Sequence, residues 1–108
     1  MKPVISEGAA ERLLQHHLAA LRVKIDQVDL ELLRILERRG QVVAEIMELK
    51  KSTGTPTLDP VREEQVLSRL RAMHKGPYDW PSIARVFRLV MEISRGMAGN
   101  RRDRNPPG

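Results

Sequence analysis

Arg39 occupies a position where chemistry, not packing, has to explain a charge. Positions 14, 18, 21, 25, 28, 32, 35, 39, 42, 46 and 49 step by four and three without a slip. They hold Leu14, Leu18, Leu21, Ile25, Val28, Leu32, Ile35, Arg39, Val42, Ile46 and Leu49. This is a heptad seam with one polar member. A guanidinium on such a seam must meet an anion or lose its hydration without compensation. Taken alone, Arg39 reads as a register-setting residue or as a side chain that snorkels to the seam's edge. Lys50 changes that reading. It follows Arg39 by eleven residues, which at 3.6 residues per turn returns it to within ~20° of the same face, three turns along. Arg22 precedes Arg39 by 17 residues, so it lies ~25 Å away along a straight helix and is rotated by ~100°. One helix cannot direct both arginines to the same small ligand. In an antiparallel pair of chains, Arg22 of one chain can join Arg39 of the other.

A second cluster lies in LDPVREEQ, residues 58 to 65. Asp59 and Pro60 form a helix start, a capping carboxylate followed by the residue best suited to the first helical position. Arg62 and Glu63 then fall where the apolar stripe begins, and Asp59 and Glu63 share a face at a spacing of four. Favourable interaction with the helix dipole accounts for Glu64. Glu63 continues the stripe of Val66, Leu67, Leu70 and Met73, so plain solvent exposure does not account for it. Further on, Ile83, Phe87, Val90, Ser94 and Met97 step by four, three, four and three, with Ser94 as a hydroxyl on a buried stripe. A serine bonded to its own helix carbonyl is the bland explanation for that residue. Taken together, these positions describe a pocket with several cations, one or two carboxylates and a hydroxyl pointing inward. There is no G-x-S-x-G, no metal-ligand set and no phosphate-cradling glycine loop. Such a pocket suits a small anion with more than one carboxylate, and any catalysis in it works by orientation and electrostatics.

The elements that must position these residues are helices. STGTPTLDP at 52 to 60 and HKGPYDWP at 74 to 81 are rich in turn residues, and no proline interrupts the segments between. The expectation is an all-α chain of three helices, from about Glu11 to Lys51, from Pro60 to about His74, and from about Trp80 to Ala98. The first would be ~60 Å long, roughly twice the span of a small domain. The two shorter helices cover only part of its seam, which predicts an intertwined homodimer with the long helices packed on each other.

Composition narrows the class further. The 108 residues form one domain with an aliphatic core, because the chain has one Phe, one Tyr and one Trp. The lack of cysteine removes disulfides, thiolate catalysis and cysteine-based zinc sites. His16, His17 and His74 are scattered and lack carboxylates placed to help them hold a metal. No apolar run approaches a membrane span, and MKPVISEGAAER lacks the hydrophobic region of a signal peptide, so a cytoplasmic protein is expected. The net charge of +5 and pI near 10.2 invite a nucleic-acid reading. Residues 95 to 104 hold four Arg against one Asp, leaving 15 Lys and Arg against 13 Asp and Glu elsewhere. Most of the excess is therefore in a terminal segment, 99–108, whose Pro, Gly and Arg content predicts a disordered basic tail. The informative cations lie on the seam, and the loops lack aromatic stacking residues, which speaks against nucleic acid.

At this point LRVKIDQVDLELLRILERRGQVVAEIMELK, followed by DPVREEQVLSRL, resembles the all-helical chorismate mutases, including those associated with or fused to the first enzyme of the shikimate pathway. The similarity runs from about Leu18 to Met97. It rests on the order and spacing of Arg22, Arg39, Lys50, Asp59, Arg62, Glu63 and Ser94. The resemblance implies residues 18–98 as the mutase-like domain, with 1–17 as an extension into the first helix. It also implies an intertwined dimer that converts chorismate to prephenate by a cofactor-free [3,3] rearrangement, with a shikimate-pathway enzyme such as DAHP synthase as a further partner. By the same resemblance, Arg39 and the other chain's Arg22 clamp the substrate carboxylates, assisted by Ser94. Lys50 meets the ether oxygen, where negative charge grows, and a neighbouring carboxylate. Glu63 accepts the ring hydroxyl, with Asp59 and Arg62 alongside. The helix start at Asp59 would thus aim its first turn into a ligand site.

One position departs from the family. The second donor to the ether oxygen, usually Gln or Glu, falls at Ala98, whose methyl group cannot donate; by analogy with lost oxyanion-hole donors this costs ~3 kcal/mol. Three explanations compete: a weak mutase, a contribution from Asn100 or Arg101, or a partner protein that reorganises the helix end. The departure also motivates an alternative, a regulatory domain that binds chorismate or prephenate and catalyses poorly. The first twenty residues, with Leu13, Leu14 and Leu18, extend beyond the minimal domain and would support docking or a longer dimer seam.

Overall fold

The computed structural model describes the backbone of residues 7–56 and 58–104, and the side chains of these up to residue 97. Three helices follow in order, α1 (Glu7–Thr53), α2 (Pro60–Met73) and α3 (Trp80–Arg104), and no strand occurs among the described residues. The all-α architecture expected from the spacing is therefore present. α1 begins about a turn earlier than the expected Glu11. Glu7 lies in its first turn and Lys50 and Lys51 in its last, each opposite in sign to the helix-dipole end it occupies. α3 runs past the expected Ala98. Its backbone is helical through Arg104, where a disordered tail was expected from residue 99; the side chain of Ala98 and residues 105–108 fall outside the described residues.

The turns are built as their residues require. α1 stops because Gly54 takes φ 70°, a left-handed conformation that glycine adopts without a Cβ penalty. The amide of Thr55 then donates to the carbonyl of Lys50 at 2.9 Å, and that of Gly54 to Lys51 at 3.4 Å. These bonds satisfy carbonyls that the helix end would otherwise leave open. The hydroxyls of Ser52 and Thr53 also turn back on the carbonyl of Leu49, at 2.8 and 3.2 Å. α2 starts at the capping Asp59, whose Oδ1 accepts from the amide of Arg62 at 3.0 Å, with Pro60 next in line. Between α2 and α3, Gly76 takes φ 115°. His74 Nε2 donates to the carbonyl of Tyr78 at 2.8 Å, and the His74 ring meets Trp80 edge-on with centroids 5.8 Å apart. Asp79 Oδ1 accepts from the amide of Ser82 at 3.2 Å at the start of α3. Its side-chain bond to Ser82 holds the Asp79 carboxyl below the usual range.

The chain divides into two compact units, residues 1–39 and 40–108. In the first, α1 buries none of its residues. The seam side chains Leu21, Ile25, Val28, Leu32 and Ile35 are 52 to 58% exposed. In the second unit, α2 packs on α3. Leu67 of α2 meets Ala84 and Met91 of α3, with Val66, Trp80 and Phe87 packed against them.

The contact row on α3 differs by one residue from the expected stripe of Ile83, Phe87, Val90, Ser94 and Met97. Ala84 and Met91 are the buried members, and Ile83, Val90, Ser94 and Met97 are half-buried flanks. Hydrophobicity ranks Ile and Val above Ala, whereas two closely approaching helices favour a small side chain at their contact. On α2, Leu67 is buried and Val66 and Leu70 half-buried, but Met73 at the helix end is 74% exposed.

Candidate active site

The chemistry-bearing residues of the second unit gather along α2 and α3. Asp59 uses its carboxylate and carbonyl to start α2, accepting from the amides of Arg62 and Glu63 at 3.0 Å each. These bonds fix the backbone of the first turn, and so fix where the side chains of Arg62 and Glu63 originate. Arg62 is exposed. Glu63 is half-buried, four residues before the core residue Leu67, so it caps the apolar row of α2 with a carboxylate.

Across from Glu63 stands Arg95, which the sequence reading did not single out. Its Nη1 donates to Glu63 Oε2 in an ion pair whose side chains are 35% (Arg95) and 28% (Glu63) exposed. Arg95 follows the buried Met91 by four residues and Glu63 precedes the buried Leu67 by four. Each therefore continues its helix's core row, and the apolar contact between α2 and α3 ends in a salt bridge. The spacing carries this signal only for a row that passes through Met91, and the expected stripe passes through Val90 and Ser94 instead. A pair this exposed contributes on the order of 1 kcal/mol or less to stability.

Ser94, one residue earlier, is half-buried, and its Oγ donates to the carbonyl of Val90 at 2.7 Å. Lys50, in the closing turn of α1, is half-buried, and its carbonyl is held by Thr55. In the first unit, Arg22 is exposed, while Arg39 is half-buried and has an interaction partner. A shallow groove lined by Pro60, Val61, Glu64, Gln65 and Ser68 lies on α2 away from the Glu63 row and contains no cation. No cluster of three or more His, Cys, Asp or Glu able to hold a metal occurs among the described residues.

These features define a helical protein with a carboxylate, Glu63, paired to Arg95 across the α2–α3 contact, a half-buried hydroxyl on α3 and half-buried cations on α1. The profile of the type II chorismate mutases matches residues 21–98, and the chain belongs to that family. It is similar to the bifunctional chorismate mutase/prephenate dehydratase of Neisseria gonorrhoeae, with 41% identity over 87 residues, covering 81% of this chain and 22% of that protein. It is also similar to the chorismate mutase of Methanocaldococcus jannaschii, with 28% identity over 81 residues, covering 74% of this chain and 82% of that one. The solved chorismate mutase of Thermus thermophilus superposes with a TM-score of 0.71 at 38% identity, covering 72% of this chain and 98% of that one. The chain thus spans about a fifth of its bifunctional relative and most of the other two.

Proposed function

We propose that this chain is a chorismate mutase that converts chorismate to prephenate by a unimolecular [3,3] rearrangement without a cofactor. The observation that carries the reading is the family match over residues 21–98, which contains Arg22, Arg39, Lys50, Asp59, Arg62, Glu63 and Ser94 in order. The rearrangement needs no external acid, base or nucleophile. It needs a pocket that selects the compact conformer and meets the charge that develops on the ether oxygen. Arg39 and the other chain's Arg22 supply bidentate clamps for the two carboxylates, assisted by Ser94. Lys50 faces the ether oxygen, and Glu63 accepts the ring hydroxyl, with Asp59 and Arg62 alongside. Half-burial of Arg39, Lys50 and Glu63 supports this assignment, because partial desolvation strengthens a charged contact.

In this reading the working unit is a homodimer. Its support is the row of aliphatic side chains on α1 left about half exposed in the single chain. Covering the rest of each is worth ~1 kcal/mol, so the seam supplies several kcal/mol per chain. A doubly charged metabolite does not cross a bilayer unaided, so the enzyme would work beside its pathway in the cytoplasm. Association with another enzyme of that pathway, such as DAHP synthase, accords with the bifunctional protein in which a similar segment is one part. Residues 18–98 carry the activity, and the extension before them, with Leu13 and Leu14 exposed on α1, serves docking or a longer dimer seam.

The deciding experiment follows the ultraviolet loss of chorismate with purified protein, with Arg39→Ala as the control. Turnover that Arg39→Ala abolishes is the expected result. Chorismate binding without turnover, even at high protein concentration, would instead favour the second reading, a regulatory domain for the same ligand, for which Ala98 speaks.

A further inference from the structure

The cross-helix pair of Arg95 and Glu63 has no part in the roles assigned above, and it bears on one of them. Glu63 has a long, flexible side chain at the open end of the α2–α3 contact, where the apolar row alone leaves its carboxylate several rotamers. Arg95 reaches it from 32 residues away in sequence. The guanidinium is planar and donates from fixed directions, so a bond from its Nη1 to Oε2 selects one carboxylate orientation. The remaining oxygen, Oε1, is then presented in a defined direction. The pair also offsets charge. A ligand with two carboxylates approaching Glu63 meets a like charge, and the adjacent guanidinium compensates it.

We propose that Arg95 is a positioning residue for the mutase reaction, holding Glu63 oriented and charge-compensated so that its carboxylate receives the ligand hydroxyl while a dianion binds nearby. The assignment rests on the chorismate mutase reading, in which Glu63 faces the ligand. It predicts that Arg95 acts through Glu63 and not on the ligand itself.

The test is a double-mutant cycle on the full chain, read as kcat/KM for chorismate, with circular dichroism and melting to verify folding. Arg95→Met lowers kcat/KM by ~10- to 100-fold when Glu63 is present, and by less than about twofold in the Glu63→Gln background. Arg95→Lys, which keeps the charge, recovers part of the loss, whereas Arg95→Gln, which keeps only a neutral donor, recovers less. Should Arg95→Met not fold, the same cycle is run with Arg95→Gln. Equal losses in both backgrounds, or no loss with Glu63 intact, would overturn the assignment and leave the mutase reading standing. Wild-type protein without turnover would remove the mutase reading and this assignment with it.

Discussion

At the scale of single residues, a charge that contradicts its surroundings is what the sequence offers as a candidate for function. Arg39 and Lys50 stand out because each is a cation on a face that otherwise wants aliphatic side chains, and Glu63 because it heads an apolar row; all three are half-buried. Under the proposed function, truncating Arg39 removes a bidentate, charge-assisted pair of hydrogen bonds to a ligand carboxylate. Arg39→Ala is therefore expected to lower kcat/KM by at least ~100-fold while leaving the helical content unchanged by circular dichroism. Ala98 gives the opposite test. If the resemblance holds at this position, Gln supplies the donor implied there, and Ala98→Gln should raise kcat by roughly tenfold or more. An unaltered rate would show that the alignment of that helix end is out of register. Arg95 was not legible. An arginine within a helix is ordinary, and only the α2–α3 packing reveals which carboxylate it meets 32 residues away.

At the scale of elements, the punctuation residues fixed the helices well, and the capping geometry explains why. Gly54 is the clearest case. It holds φ 70°, and a Cβ added there would meet nothing within 4 Å. The cost of Gly54→Ala is therefore conformational, not steric, and should be about 1 kcal/mol by denaturant unfolding. Asp79 gives a pH signature. Its carboxyl is held below the ordinary range, first by the Ser82 side-chain bond, so its ionised form is favoured in the folded chain. Its contribution is complete above the unfolded carboxyl pKa and is lost as pH falls through the lower, folded value. Melting temperatures taken from neutral pH down into strong acid should fall less steeply for Asp79→Asn than for wild type, since Asn also caps helices but does not titrate. Parallel curves would refute the link. The α3 contact row was misjudged by one residue because periodicity reports which face is apolar, whereas Ala84 and Met91 were selected by how closely α2 approaches.

At the scale of the whole molecule, the fold was legible as helices, and the homodimer proposed to cover the α1 seam is a separate question. The described part of α1 buries no residue, and the second unit's buried core among the described residues is Leu67, Ala84 and Met91. So small a core cannot by itself offset the conformational entropy of ordering the helices. A charge in the middle of the seam separates the possibilities. Leu32 is already 52% exposed in the single chain, so Leu32→Asp would cost little in a monomer but would place a carboxylate inside a dimer interface. Sedimentation should give a dimer for wild type and dissociated, largely unfolded chains for Leu32→Asp. In addition, the wild-type melting temperature should rise with protein concentration. A concentration-independent transition would leave the exposed seam without an explanation.

The edge-on contact between Trp80 and His74 has a practical consequence. The chain's one indole lies where α2 hands over to α3, in the second unit and outside the seam. Its emission is therefore a local optical probe of that corner. Light from this fluorophore tracks loosening of the corner.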